Sequence, residues 1–220
     1  MITASIVIYK TKKDMLKTLL DCVKVSNSVE KLWVIDNYPM QENTWIKDYL
    51  PCIEYIENEN TGYGHAHNIA LHKAVELGST YHVILNPDIE FSANALKDLA
   101  SYMEVNTDAG WVMPKVLYPN GEIQYLCKKL PTPFNLFLRR FLPAWNWVKK
   151  MDEDFELRHT GYDKEMNVPF LSGCFMFLRV ETIAKHNLYF DERFFMYCED
   201  LDLSRRFNQV SKNMYYPAVS

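Results

Sequence analysis

The sequence predicts an α/β fold with a mainly parallel central sheet, helices on both faces of the sheet and a smaller mixed β region in the second half of the chain. Apolar runs of strand length alternate with amphipathic helical segments over residues 1–105, which is the pattern of repeated strand–helix units. Three apolar or aromatic segments end in acidic residues, and open α/β sheets place their ligands at the ends of such strands. The length of 220 residues and the hydrophobic content of 48% fit one domain with a substantial core.

The elements of the first half follow from the spacing of apolar residues. Residues 3–9 form an apolar run that predicts the first strand, and residues 13–25 repeat leucine and valine with the 3.6-residue period of a helix. The later elements alternate in the same way. They are strands at 31–36, 52–56 and 81–86, a helix at 64–77 closed by Gly78, and a helix from Ser92 to about Val105.

The second half has a different character, with shorter apolar runs and more turn residues. The predicted elements are short strands within 110–128 around the turn at 119–121, a polar and mobile loop at 151–168, a strand at 169–180 and a helix at 199–208. No internal repeat separates the two halves, so residues 1–220 are predicted to form a single domain.

Composition excludes several functional classes. The formal net charge of −4 argues against a general nucleic-acid binder, which would normally present a basic face. The five cysteines are odd in number and form no Cys-x-x-Cys pair, which predicts reduced thiols in a cytoplasmic protein. The apolar stretch before Lys10 is too short for a signal peptide or a membrane span.

Six segments carry a family resemblance when they are taken in order. They are 4–9, 34–37, 60–68, 85–88, 170–174 and 190–206. Together they resemble the family 2 glycosyltransferases with the GT-A fold, in particular bacterial rhamnosyltransferase-like members. The resemblance implies a nucleotide-sugar-binding half at 1–105 and an acceptor-binding half at 106–220. It also implies inverting transfer of a sugar, with a lean towards L-rhamnose, from a dTDP- or UDP-sugar to a cell-surface polysaccharide or a lipid-linked glycan.

Asp36 ends the second predicted strand. The resemblance implies that its carboxylate accepts a hydrogen bond from the imide N–H of uracil or thymine, with Tyr9 flanking the base. The alternative is that Asp36 and Asn37 simply turn the chain, since both residue types favour turns. Lys10 and Pro39 depart from the usual family residues, so the base pocket is expected to differ in detail.

A glycine-rich loop leads into the helix predicted at 64–77. Glycines allow close backbone approach, and free N–H groups at a helix N-terminus favour anions, although an ordinary turn has the same composition. The resemblance implies that the loop lies along the nucleotide sugar. The matching positions are Asn60, Gly62, Gly64 and Asn68. The nearby histidines fall on different faces of the helix and predict no metal cluster.

Asn86-Pro87-Asp88 follows the most apolar strand. The resemblance identifies it with the metal motif of the fold, with Asp88 as the direct ligand of Mg²⁺ or Mn²⁺ and Asn86 contacting the ribose or the diphosphate. Such cations prefer oxygen ligands and often use few protein carboxylates, with phosphates and water completing the shell. The alternative is a plain acidic turn between a strand and a helix.

The acidic cluster at 199–202 is the candidate for acceptor chemistry. An inverting transferase needs a base on the sugar face opposite the leaving group. The resemblance implies that Asp200 is this base, with Glu199 as runner-up or acceptor ligand, and that the acceptor lies near Gly173. Asp202 stands four residues before Arg206 and predicts a helical ion pair. The alternative is a charged helix start favoured by the macrodipole.

Two further expectations stay open at the sequence level. The aromatic and basic stretch at 134–150 predicts peripheral contact with a bilayer, at the inner face of the cell membrane. The same composition is equally compatible with a segment that covers the sheet or contacts another subunit. Relatives usually continue beyond Ser220. A non-catalytic or truncated nucleotide-sugar-binding module is therefore the alternative to an enzyme.

Overall fold

The computed structural model describes residues 1–132 and 145–220 and leaves the side chains of residues 41, 42 and 146 aside. The strands are β1 (Ile2–Ile8), β2 (Lys31–Asp36), β3 (Ile53–Glu57), β4 (Tyr81–Leu85), β5 (Ala109–Pro114), β6 (Cys127–Lys128), β7 (Met166–Asn167), β8 (Phe170–Leu171), β9 (Phe175–Arg179) and β10 (Lys212–Tyr216). The α-helices are α1 (Lys13–Ser26), α2 (Tyr63–Glu76), α3 (Ala95–Val105), α4 (Asn146–Phe155), α5 (Val180–His186) and α6 (Glu199–Phe207). Short 3₁₀ helices span Gln41–Asp48 and Arg158–Thr160.

The main sheet has eight strands in the order β3-β2-β1-β4-β9-β5-β10-β7. The strands β1 to β4 are parallel, and β10 is parallel to β5, whereas β9 runs antiparallel to both of its neighbours. Strands β6 and β8 form a separate small sheet. The predicted fold class, an α/β fold with a mainly parallel sheet and a smaller mixed region, is confirmed.

This topology places several polar segments at one edge of the sheet. Asp36 ends β2 and Asn86 follows β4 at the carboxyl edge of the parallel strands. Because β9 is antiparallel and Leu85 pairs with Phe175, the residues just before β9 reach the same edge. Gly173 therefore lies beside the Asn86–Asp88 turn although it is far away in sequence.

Both faces of the sheet are covered by helices, as the residue pattern predicts. On one face, α1 and α3 bury the leucines of their apolar stripes against β1 and β4. On the other face, α2 packs through Ala66, Ala70 and Ala74 against Trp33 and Ile35 of β2. The alanines recur every four residues, so the helix can lie close to the strands.

A polar chain is buried between the sheet and α2. His82 contacts the Thr3 hydroxyl through Nδ1 at 2.9 Å and the Ser5 hydroxyl through Nε2 at 2.9 Å. Ser5 also contacts His67 Nδ1 at 2.8 Å. Burial lowers the pKa of His82 to about 3 and lowers that of His67 well below its usual value. Both imidazoles are therefore neutral structural groups near pH 7, and His67 is not a metal ligand of the exposed surface.

Three local predictions are wrong. Residues 151–168 are not a loop, because Val148 and Phe155 bury one face of α4 and the Tyr162 hydroxyl lies 2.8 Å from the carbonyl oxygens of both Cys127 and Glu156. These sparse apolar residues are hidden among charged ones in the sequence. The strand predicted at 169–180 is two strands in different sheets, β8 and β9. Helix α3 begins three residues after Ser92, whose carbonyl accepts the Ala95 N–H.

The proposed membrane-contact stretch is only partly described. Its residues 134–144 lie outside the described ranges, whereas Trp145 and Trp147 are exposed with ring centroids 6.1 Å apart. Among the helices of residues 1–132 and 145–220, none is long and apolar enough to cross a bilayer. The five cysteines are free thiols.

Candidate active site

Asp36 is fully buried at the end of β2, and its carboxylate has three donors. The backbone N–H of Tyr38 donates to Oδ1 at 2.9 Å, while the Asn43 amide at 2.7 Å and the Tyr55 hydroxyl at 2.6 Å donate to Oδ2. Burial and the hydrogen bond to Asp36 raise the pKa of Tyr55, so the phenol remains a donor. Oδ2 already has two donors, so a ligand that binds this oxygen must displace Asn43 or Tyr55.

Tyr9 lies near this acid on the exposed side. Its ring meets that of Tyr38 edge-on at 5.6 Å, and the ammonium of Lys10 lies over both rings. Both tyrosines are more than 40% exposed, so they form an open aromatic wall beside the end of β2. Sequence reasoning missed Tyr38, although an aromatic residue directly after Asp36-Asn37 was a visible signal.

Asn37 connects the end of β2 to the glycine-rich loop. Its amide nitrogen donates to the Gly62 carbonyl at 3.3 Å and to Asn60 Oδ1 at 3.4 Å, and its Oδ1 accepts from Asn58 at 2.8 Å. The predicted neighbours Asp36 and Asn60 are thereby brought to one corner of the sheet edge. The sequence assigned Asn37 only a turn, because its partners lie more than twenty residues away.

The other predicted residues of the glycine-rich loop contact the 190–195 segment. A side chain at Gly62, where φ is +112°, would collide with the Phe195 carbonyl, and one at Gly64 would lie 2.8 Å from Cβ of Phe190. Asn68 accepts the Phe190 N–H at 2.9 Å and donates to the Phe190 carbonyl at 2.9 Å. The structure thus gives these positions a packing role, and their contact with a nucleotide sugar stays a prediction.

The centre of the site joins the Asn86–Asp88 turn to the start of α6. The Tyr63 hydroxyl lies 3.1 Å from Asn86 Oδ1 and 3.0 Å from the Gly173 carbonyl oxygen. The Gly173 N–H in turn donates to Asp200 Oδ2 at 3.0 Å. A side chain at Gly173 would lie 3.1 Å from Cβ of Asp200, so glycine permits this approach.

Asp88 differs from the other acids of the site, because it is exposed and uncommitted. Within residues 1–132 and 145–220 its carboxylate has no hydrogen-bond or ion-pair partner, and no three acidic, histidine or cysteine side chains cluster as a metal site. One free carboxylate beside the amide oxygen of Asn86 fits a hard cation that brings its remaining oxygen ligands from phosphate and water. The residues present therefore fit Mg²⁺ or Mn²⁺ carried with a diphosphate.

The two acids that open α6 have different surroundings. Asp200 is half-buried, and its two oxygens accept backbone N–H groups from Gly173 and, at 2.8 Å, from Leu201. Glu199 is buried, its Oε2 has no partner among the described residues, and burial raises the pKa of its carboxyl. Asp202 forms the predicted ion pair with Arg206, whose Nε donates to Oδ2 at 2.8 Å. Of the two acids that open the helix, Asp200 is therefore the one whose carboxylate is held in a fixed orientation.

The segment before α6 is exposed and strained. Tyr197 is 78% exposed, and both Tyr197 and Cys198 have φ near +70°, which is costly for residues with side chains. The Phe195 carbonyl accepts the Tyr63 N–H at 3.1 Å, so the segment is anchored to the glycine-rich loop. Backbone strain of this kind is common at functional sites.

A cleft of about 790 Å³ opens on the other side of the Asp88 turn. It lies towards β5 and β10, the half that the sequence assigns to the acceptor. Its lining includes Asp88, Glu90, Lys115, Tyr118 and Gln124. The turn that carries Asp88 thus separates the corner around Asp36 from a large cleft of mixed polar and apolar lining.

Sequence and structure comparisons relate the chain to known proteins. The model of the family described as glycosyl transferase family 2 matches residues 3–186, which ends before Glu199 and Asp200. The rhamnosyltransferase WbbL of Escherichia coli strain K12 is 25% identical over 219 residues, covering 96% of this chain and 78% of the relative. An N-acetylglucosaminyl-diphospho-decaprenol L-rhamnosyltransferase of Mycobacterium tuberculosis is 27% identical over 176 residues, covering 73% of this chain and 54% of the relative.

Solved structures share the fold at low sequence identity. TarS 1-349 of S. aureus in complex with UDP-GlcNAc superposes with a TM-score of 0.66 at 13% identity, over 98% of this chain and 55% of that one. The mannosyltransferase PcManGT of Pyrobaculum calidifontis in complex with GDP-Man and Mn²⁺ gives 0.65 at 14% identity, over 98% and 54%. The chain thus spans about half the length of these structures and of the mycobacterial relative. The family match covers most of the chain, and the protein belongs to glycosyl transferase family 2 with the GT-A fold.

Proposed function

We propose that the protein is an inverting, metal-dependent glycosyltransferase. It would move a sugar, with L-rhamnose as the first to test, from a pyrimidine nucleoside diphospho-sugar to a cell-surface polysaccharide or a lipid-linked glycan. The observation that carries the proposal is the junction of Asn86, Tyr63, Gly173 and Asp200, which holds an oriented acid next to the turn that presents the uncommitted Asp88. The names of the relatives support rhamnose, and that of the mycobacterial relative supports a lipid-linked acceptor.

The nucleotide is proposed to bind at the corner formed by Asp36, Asn37 and the aromatic wall of Tyr9 and Tyr38. The imide N–H of uracil or thymine is chemically similar to the Asn43 amide N–H that Asp36 accepts now. Base binding therefore requires the Gln41–Asp48 segment to withdraw Asn43 and leave Oδ2 to the base. Cytosine carries no N–H at N3, so this exchange favours uracil and thymine over cytosine. Guanine also presents an N–H donor, and its exclusion is decided by the donor panel below.

Asp88 would hold the Mg²⁺ or Mn²⁺, with Asn86 next to it. When bound, the cation stabilises the negative charge that gathers on the departing diphosphate. The chain itself contributes the position of Asp88 at the end of a rigid central strand, and the backbone N–H of Asn86 donates to the Cys174 carbonyl at 3.0 Å to fix the start of the turn.

Asp200 is the proposed general base. It takes the proton of the acceptor hydroxyl while that oxygen bonds to the anomeric carbon and the bond from that carbon to the diphosphate breaks. Backbone donors from Gly173 and Leu201 hold both carboxylate oxygens and leave further lone pairs for the proton. General-base assistance of this kind is worth roughly 10² to 10⁴ in rate. Glu199 is the alternative base or an acceptor ligand, but its burial restricts access.

Peripheral contact of the protein with the inner face of the cell membrane is part of the proposal. Trp145 and Trp147 are exposed beside Lys149 and Lys150, a combination suited to anionic headgroups. Sedimentation with anionic and with neutral liposomes checks this contact. Binding to the anionic vesicles alone supports it, and equal recovery in the supernatant with both rejects it.

The test of the proposed reaction combines binding with turnover. Thermal unfolding is followed with dTDP-L-rhamnose, UDP-GlcNAc and GDP-mannose, each with and without Mn²⁺, and release of the nucleoside diphosphate is measured in parallel. A ligand that binds only the folded state, at a free concentration of about 100 times its Kd, raises the free energy of unfolding by about 2.7 kcal/mol. Selective Mn²⁺-dependent stabilisation and turnover with a pyrimidine donor support the proposal. Binding without turnover, in the presence of a lipid-linked acceptor, would instead indicate a binding module.

A further inference from the structure

Tyr63 occupies an unusual position, because its hydroxyl is shared by two segments that are 87 residues apart in sequence. The oxygen lies 3.1 Å from Asn86 Oδ1 and 3.0 Å from the Gly173 carbonyl oxygen. A phenol has one proton to donate, so the two acceptor oxygens compete for it and both lie close to the same hydroxyl. The ring is fixed edge-on against His67 and Phe190, with centroids 4.4 and 6.0 Å away.

Each acceptor leads directly to a candidate catalytic acid. Asn86 stands two residues before Asp88 in the same turn, and the Ile89 N–H donates to the Asn86 carbonyl at 3.2 Å, which closes that turn. Gly173 donates its own N–H to Asp200. The hydroxyl therefore links the turn that presents Asp88 to the backbone that orients Asp200.

The surroundings keep the hydroxyl in its donor form. Burial first, and then the nearby thiol of Cys174 and the carboxyl groups of Asp200, Glu199 and Asp88, raise the pKa of Tyr63 well above its usual value. The phenol therefore stays protonated and can donate to either acceptor. Its contribution is geometric.

We infer that Tyr63 is a positioning residue that sets the distance between the metal-binding turn and the base. The inference rests on the proposed function. In an inverting displacement the attacking oxygen and the leaving diphosphate must lie on opposite sides of one carbon, so the groups that serve them must be spaced correctly. A misplacement of about 1 Å costs about 10²-fold in rate.

The test replaces the hydroxyl and keeps the ring. Tyr63→Phe retains the packing on His67 and Phe190 and leaves Asn86 and Gly173 without their shared donor. Tyr102→Phe is the matched control, because Tyr102 also donates through a tyrosine hydroxyl, to Glu165 at 2.9 Å, but from α3 on another part of the sheet. For each variant we measure kcat, KM for the donor, donor Kd and Tm.

The expected result is a split between chemistry and binding. Tyr63→Phe should lower kcat by about 10- to 100-fold and change donor Kd by less than about 3-fold, whereas Tyr102→Phe should keep the wild-type kcat. In a double-mutant cycle with Asn86→Ala, the two losses should be less than multiplicative, because the residues act through one contact.

Two outcomes overturn the inference without touching the proposed function. One is a Tyr63→Phe protein with wild-type kcat, including one that loses only Tm or donor affinity. The other is a fully multiplicative cycle with Asn86→Ala. A wild-type protein that turns over no nucleotide sugar would overturn the proposed function first, and this inference with it.

Discussion

Asp36 ends β2 and Asp88 follows β4 at the same edge of the sheet, yet the two carboxylates have opposite surroundings. Asp36 is fully buried and accepts three hydrogen bonds, whereas Asp88 is exposed and makes none with the described residues. A buried carboxylate must be satisfied by the protein itself, while an exposed one can wait for a ligand in water. The comparison separates an acid that shapes the pocket from an acid that is free to bind a cation.

The same contrast recurs at the start of α6. Asp200 is oriented by two backbone donors, while the neighbouring Glu199 is buried with one oxygen unpartnered. Adjacent acids therefore have different capacities although the sequence shows them as one cluster. Substitutions at these acids and at their partners should therefore differ in what they change.

The largest effect is expected at Asp88. Asp88→Asn should abolish Mn²⁺-dependent donor turnover, with a loss of about 10³-fold or more in kcat/KM, because the amide is a far weaker cation ligand. Its Tm should stay at the wild-type value, since the carboxylate has no partner to lose. Glu104→Gln is the control, because Glu104 is an exposed acid on α3 that does not line the cleft. Equal activity of Asp88→Asn and wild type would remove Asp88 from the site.

Asp36→Asn should act mainly on stability. Replacing one carboxylate oxygen by an N–H group sets two donors against each other in a buried site, so the free energy of unfolding should fall by about 3 kcal/mol in urea titrations. If Asp36→Asn kept the wild-type urea midpoint while Asp88→Asn lowered it, the assigned roles of the two acids would be wrong.

The buried histidines predict a pH dependence of stability. The pKa of His82 is about 3 in the folded state and its ordinary value is 6.5, and that of His67 is lowered as well. The unfolded chain therefore binds more protons below pH 6.5, and stability present above that pH is lost as the pH falls. From pH 7.5 to 5.5 the free energy of unfolding should drop by about 2–3 kcal/mol for the two groups together.

A variant isolates the histidine contribution. Carboxyl groups with a lowered pKa, such as Glu54 and Asp191 at about 2, stay ionised throughout this range and do not contribute to it. His82→Gln should halve the drop, and His186→Ala, at the exposed end of α5, should leave it unchanged. A flat profile between pH 7.5 and 5.5 would contradict neutral burial of the pair.

The smallest effect is expected at Asn43, and its sign is informative. If the base takes the place of the Asn43 amide, Asn43→Ala removes a competitor and should tighten donor binding by about 3- to 10-fold, while stability falls by about 1 kcal/mol. Asp48→Ala, at an exposed position on the same 3₁₀ helix, is the control for calorimetric titrations. Weaker binding by Asn43→Ala would mean that Asn43 supports the bound state.

Local patterns were enough to predict the fold class and the acids at strand ends. The apolar runs of β2 and β4 stop at Asp36 and Asn86 in the structure as the sequence indicates, and the four-residue spacing of Asp202 and Arg206 gave their ion pair. These features depend on neighbours in sequence or on the period of one element.

Contacts between distant segments could not be predicted. The Tyr63 hydroxyl meets a carbonyl 110 residues away, and the donors of Asp36 come from three separate places. The glycine-rich loop shows the same limit, because Gly62 and Gly64 are small where Phe195 and Phe190 approach, a reason that no local pattern contains. Only the antiparallel insertion of β9 brings Gly173 to Asn86.

The central claim is that Asp36, Asp88 and Asp200 surround one molecule of activated sugar. A crystal structure with dTDP and Mn²⁺ tests it most directly. We expect the base against Asp36 in place of Asn43, an oxygen of Asp88 in the Mn²⁺ shell together with diphosphate oxygens, and Asp200 facing the diphosphate from across the site. A nucleotide bound elsewhere, or a Mn²⁺ shell without Asp88, would contradict it.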